Sequence, residues 1–86
     1  MAQYIEKTGS VGLYEVYTAG QITSLLVTVG QQEYNVRAND KKPAAFAMAA
    51  IACLKDAFFQ GKQVTLKGER QGSIREPLRL TSVKLH

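Results

Sequence analysis

The sequence predicts a mainly β domain with one helix, its elements in the order β-β-β-α-β-β. Three observations carry this reading. Five stretches, at about 11–18, 22–29, 33–38, 63–70 and 76–85, are rich in β-branched and aromatic residues and largely alternate apolar with polar. One stretch, Pro43–Gly61 (PAAFAMAAIACLKDAFFQG), is dominated by alanine, the best helix former. The connections between them hold glycine and polar residues, which turn the chain. At 86 residues and 45% apolar content, the chain is expected to make one domain, 1–86, with a single modest core.

The elements follow in order. Residues 1–10 are polar with one Tyr and one Ile, and read as a loose arm or a first edge strand. Regular structure is expected from Val11, between Gly9 and Gly12. Val11–Thr18 is a strand in which Leu13 and Val16 differ in parity, implying a bulge or burial on both faces. Ile22–Val29 is the strongest strand, with Leu25, Val27 and Val29 on one face and Ile22 and Leu26 on the other. Glu33–Ala38 alternates cleanly, with Tyr34, Val36 and Ala38 inward and Glu33, Asn35 and Arg37 outward. Short Gly-containing connections make these three an antiparallel meander.

Beyond the helix, Gln63–Arg70 places Val64 and Leu66 inward. Gly68 interrupts that inward set, which implies a bend or a close backbone approach. In the last strand, Glu76–Leu85, Leu78 and Leu80 share one parity while Val83 and Leu85 take the other. That switch predicts a bulge near Thr81-Ser82.

In the helix, Pro43 suits the first turn, Asn39 or Asp40 stands upstream as a cap, and Gly61 supplies the stop. At roughly 100° per residue, Phe46, Ala47, Ala50, Ile51, Leu54, Ala57 and Phe58 share the side expected to face the sheet. Met48, Ala52 and Phe59 form a second apolar line opposite, interrupted by Lys55. A helix apolar on most of its circumference needs two partners. In so short a chain the second is expected to be another copy, making a homo-oligomer with Met48, Ala52 and Phe59 at its interface.

A curved sheet with its helix between the third and fourth strands is the connectivity of the OB-fold, so the expected architecture is a five-stranded antiparallel barrel. The alternative is an open antiparallel sheet with one packed helix. The passage Ala57-Phe58-Phe59-Gln60-Gly61-Lys62-Gln63-Val64-Thr65-Leu66 resembles the aromatic–Gly–Gln–strand exit in the pentameric B subunits of bacterial AB-type toxins, in their subtilase and pertussis-like branch. Ile22–Gly30 followed by Tyr34-Asn35-Val36 is similar to the preceding strand pair of that family. The resemblance implies a ring of protomers, a pentamer, with helices near the axis and ligand binding without chemistry. The chain has no cysteine pair and no cluster that matches a sugar pocket of the family, so no functional residue is carried over from it.

Charge and residue types narrow the function. Residues 1–61 carry five basic and five acidic side chains, so the net charge of +4 resides in residues 62–86. There Lys62, Lys67, Arg70, Arg75, Arg79 and Lys84 stand against Glu69 and Glu76. Such a basic third suits an acidic partner, and equally the solvated face of two strands. No apolar run approaches the roughly 20 residues of a membrane span, and no leader is recognisable. The expected location is therefore cytoplasmic, or secreted with the leader already removed. Cys53, alone among alanines, excludes an internal disulfide and reads as an inert thiol.

His86 is the only histidine and stands at the end of the sequence, the carboxylates are scattered, and no phosphate-cradling glycine motif occurs. The expectation is a binding or assembly module, not an enzyme, with no cofactor and no metal. For a glycan or another small or acidic ligand, the candidates are Tyr14, Tyr17, Arg70 and Arg75, an aromatic platform with polar groups beside it. For single-stranded nucleic acid, Arg37, Lys67 and Arg79 join Arg70 and the tyrosines Tyr14, Tyr17 and Tyr34. A structural or adaptor role with a protein partner is the third reading.

Overall fold

Three consecutive strands build the wall on which the rest is laid. The computed structural model describes residues 3–39 and 44–86, in the order β1 (Tyr4–Ser10), β2 (Leu13–Ala19), β3 (Ile22–Val29), β4 (Gln32–Asn39), α1 (Ala45–Gln60), β5 (Gln63–Glu69) and β6 (Leu78–Leu85). Strands β2, β3 and β4 form the antiparallel meander, with two-residue turns between Ala19 and Ile22 and between Val29 and Gln32. The chain is mainly β with one helix, which enters after the meander and before the last two strands.

The closed five-stranded antiparallel barrel is not formed. The sheet is open, mixed and six-stranded, in the order β1-β5-β6-β4-β3-β2. The extra strand explains why. β1 pairs along the whole of β5, from Tyr4 opposite Glu69 to Ser10 opposite Gln63, and so fills the edge that β2 would need to close a ring. Regular structure thus begins at Tyr4, ahead of Val11, which is buried in the core. Because β5 and β6 form an antiparallel pair after the helical return, β6 lies parallel to β4, through Tyr34 opposite Leu78 and Asn35 opposite Arg79.

One face of the sheet is apolar and covered by α1. Leu25, Val27, Val29, Tyr34 and Val36 meet Val64, Leu66, Leu78 and Leu80 there, all buried. The smallest extent of the molecule, 19 Å, is that of one helix layer on one sheet at the usual spacing of about 10 Å. Gly68 makes the close approach its sequence position implied. A Cβ there would stand 2.8 Å from both the Leu78 Cβ and the Tyr34 Cδ1. Tyr34 is itself fully buried, its hydroxyl donating to the Ile5 carbonyl (3.2 Å) with the Leu66 carbonyl at 3.4 Å. Burial, with the nearby Glu6 carboxylate, pushes its phenol up to about 12. The bulge also falls where the parity switch placed it. Lys67 opposes Ser82 but Gly68 opposes Leu80, which leaves Thr81 as the extra residue, its hydroxyl donating to the Lys67 carbonyl at 3.0 Å.

The helix is capped differently from expectation at its start. Its N-cap is Ala44, which offers no side-chain acceptor, while Asn39 closes β4; Asp40 and Pro43 lie outside the described residues. At the other end Gly61 takes φ 66, and the Lys62 and Gly61 N–H groups donate to the carbonyls of Ala57 (3.0 Å) and Phe58 (3.4 Å), a Schellman stop. Ala47, Ala50, Leu54 and Ala57 are the buried stripe, three of them alanines whose small side chains let the helix sit close to the sheet. Phe46 and Phe58, expected on that side, lie at its flanks and are 43% and 37% exposed.

Candidate functional site

The parallel pairing of β4 with β6 is two residues long, and beyond Asn35 and Arg79 no ladder joins the strands. A cleft of about 610 Å³ opens at this split. Asn35, Val36 and Arg37 of β4 form one side and Arg79 and Leu80 of β6 the other. The first turn of α1, through Ala44, Phe46 and Ala47, closes it from the covered side, and Tyr17 of β2 reaches it from across the meander. Gln71, Glu76 and Pro77, in the β5–β6 connection, complete the rim.

Register explains the convergence. Tyr17, Ser24 and Arg37 are successive cross-strand partners, so all three share the outward face of the sheet. Ser24 between them is buried. Tyr17 and Arg37 are therefore held about 10 Å apart in backbone terms, two strand spacings, within reach of one small ligand. Arg37 has no ion-pair partner among the described residues. Arg79 does: its Nη2 donates to Glu69 Oε2 at 3.1 Å, and the other oxygen of the same carboxylate accepts from Gln71 Nε2 at 3.2 Å. Glu69 thus tethers two rim residues at once. The tether is weak, because the Arg79 side chain is 57% exposed and such pairs contribute at most about 1 kcal/mol. The first turn of α1 has no acidic side chain, so the positive end of the helix dipole adds to the two guanidinium groups.

The structure brings together Tyr17, Arg37 and Arg79 from the residues the sequence singled out, and disperses the others. Tyr14 faces the opposite side of the sheet: its ring stacks on Phe58 (centroids 6.0 Å apart, planes at 22°) and its hydroxyl donates to the Ile51 carbonyl at 3.3 Å. It is a tie between β2 and the helix, and burial, followed by the Asp56 charge, raises its phenol. Arg70 is tied to Gln3, its Nε donating to Oε1 at 3.1 Å and its backbone N–H to the Gln3 carbonyl at 2.9 Å. Arg75 lies in the turn after Ser73, whose hydroxyl accepts from its N–H at 3.2 Å. Lys67 sets its ammonium over the Tyr4 ring, 5.2 Å from the centroid. Tyr34 belongs to the core.

Five residues went unmarked in the sequence: Asn35, Phe46, Gln71 and Glu76 on the cleft, and Glu69 behind it. Only Asn35 carried a signal, its outward parity with Arg37 on a cleanly alternating strand.

Elsewhere, the second apolar line of α1 is open to solvent, with Met48 57% and Phe59 72% exposed and Ala52 exposed between them. Cys53 is half-buried, and burial, with Asp56 nearby, pushes its thiol up. Among the described residues no group of three or more His, Cys, Asp or Glu is placed to hold a metal ion. Among the described residues no helix is long and apolar enough to cross a membrane. Comparison of the chain with protein-family models and with curated proteins finds no match.

Proposed function

We propose that the protein is a non-enzymatic binding module that takes a small acidic ligand, such as an acidic glycan or another organic acid, in the cleft between β4 and β6. The supporting observation is the convergence of Arg37, Arg79 and Tyr17 from three strands on one concave site, with Asn35 and Gln71 as further donors. Arginine forks bind carboxylate or phosphate bidentately, and an aromatic ring beside them offers a face for the ligand body. Among the described residues the lining holds no imidazole and no thiol, and Glu76 is its one carboxylate, which supports a reading of binding without chemistry.

A long polyanion is the poorer fit. The outward face of the sheet carries Glu6, Glu15, Glu33 and Glu69 against Arg37, Lys67, Arg79 and Lys84, four charges of each sign, where nucleic acid needs a net positive track. The module also associates with copies of itself in this reading, through Met48, Ala52 and Phe59, the assembly that the toxin-subunit resemblance implies.

The test is NMR shift mapping with a panel of small carboxylates, acidic sugars and inorganic phosphate. Binding is expected to move Tyr17, Asn35, Arg37, Gln71 and Arg79 together, and Arg37→Ala to weaken it at least tenfold. Acid-induced shifts that avoid these residues, or an unchanged affinity in R37A, sink the proposal.

A further inference from the structure

Charge and volume describe the cleft as a site for an acid, but its walls are unusual in being made of strand edges. β4 is paired with β3 along its whole length, yet on its other side the ladder to β6 stops at Asn35. From Val36 to Ala38 that side has no strand partner among the described residues. The facing side of β6 likewise has no strand partner after Arg79 among the described residues, while its far side stays bonded to β5. Val36 and Leu80 are 6% and 4% exposed, so the bare edge runs beside the core. Main-chain groups next to a core but lacking a ladder partner are a template for an added strand.

We infer that the occupant of the cleft is an extended acidic peptide segment, which adds to the free edge of β4. This rests on the reading of the cleft as a site for acids and specifies the ligand further. The peptide's main chain bonds to the Val36–Ala38 edge, and its side chains alternate across the plane of the sheet. Those on the outward side meet Arg37, Arg79 and Tyr17. Those on the other side meet Phe46, Ala47 and Leu80, where the small space under the helix suits compact apolar groups. The recognised pattern is therefore acid–apolar–acid, with valine- or alanine-sized residues between carboxylates. Glu69 is the internal stand-in for the second carboxylate: it holds Arg79 at 3.1 Å until the peptide's own acid takes that place.

Three probes separate the possibilities by titration calorimetry on the intact chain. One is a capped peptide alternating valine with glutamate. The second is the same peptide with alternate amides N-methylated, so that charge is kept and strand bonding lost. The third is glutarate. The alternating peptide is expected to bind at least tenfold more tightly than either of the others, and to slow amide hydrogen exchange within Val36–Ala38. Equal affinity for the N-methylated peptide overturns the strand addition. Glutarate binding as tightly as the peptide overturns the peptide ligand but leaves the small-acid reading standing. No binding of any of the three, at any salt concentration, overturns the peptide ligand, and the small-acid reading falls with it only when the wider panel of carboxylates, acidic sugars and phosphate also leaves Tyr17, Asn35, Arg37, Gln71 and Arg79 unmoved.

Discussion

Gly68→Ala adds one methyl group where the fold has no room for it. The new Cβ would lie 2.8 Å from the Leu78 Cβ and 2.8–2.9 Å from the Tyr34 ring edge. Neither neighbour yields easily. Leu78 begins β6 in its pairing with β4, and both side chains are fully buried, with the Tyr34 hydroxyl anchored to the Ile5 carbonyl. Overpacking of this kind costs about 1–3 kcal/mol. The same change lowers the entropy of the unfolded chain and returns roughly 0.4–1 kcal/mol. The clash wins, with a net loss of about 1–2 kcal/mol. For a chain of this size each kcal/mol moves Tm by about 4–8 °C, so a fall of roughly 4–16 °C is expected. Circular dichroism melts of the wild type, Gly68→Ala, Tyr34→Val and the double variant test the origin of the loss, because Tyr34→Val removes the ring atoms at 2.8 and 2.9 Å. If the contact is responsible, the double variant is less destabilised than the two single losses together by at least about 0.5 kcal/mol. A Gly68→Ala protein as stable as wild type, or strictly additive losses, would refute the reasoning.

Two further outcomes are expected. The fold favours the neutral Tyr34 phenol, whose value rises from 10.0 to about 12, so its contribution to stability is complete below pH 10 and is lost as pH climbs toward 12; urea melts across that window should show a decline that Tyr34→Phe flattens, and an equal decline in both proteins counts against it. Met48→Glu or Phe59→Glu should abolish the proposed self-association in sedimentation experiments while leaving the unfolding free energy within about 1 kcal/mol of wild type, since both side chains are solvent-exposed; variants that unfold instead assign that face to the core of one chain.

The sequence showed the helix-covered face far better than the edges. Ile22–Val29 was bounded correctly because its apolar residues fill both parities, the mark of a strand inside a sheet. The Thr81 bulge was legible because it flips every later side chain, so Val83 and Leu85 changed parity in plain view. Gly68 stood out as a gap in an apolar row. β1 admits two readings in the sequence, a loose arm or a first edge strand, for the opposite reason: it is an edge, mostly exposed on both faces, and Tyr4–Ser10 therefore has no alternation to read. Leaving it out of the strand order turned an open sheet into an expected barrel. Tyr17, Arg37 and Arg79 could each be picked as candidates, but not as one site. Their meeting depends on β4 and β6 lying side by side for only two residues, a long-range contact that leaves no trace in local pattern. Tyr14 shows the converse error: its pairing with Val27 sets it on the helix side, a cross-strand register that the local pattern of β2 does not carry.

β1 also sets a problem of timing. It precedes the other described elements, yet its partner comes after the helix: Tyr4 must find Glu69, and Ser10 must find Gln63. Closing so long a loop is slow compared with forming the β2–β3–β4 meander, whose strands follow one another directly. During that interval the outer edge of β5 is bare, a row of unpaired main-chain groups of the kind on which a second chain can pair. The short strand β1 is thus the cover of the sheet: until it docks, the core is in place behind an unguarded border.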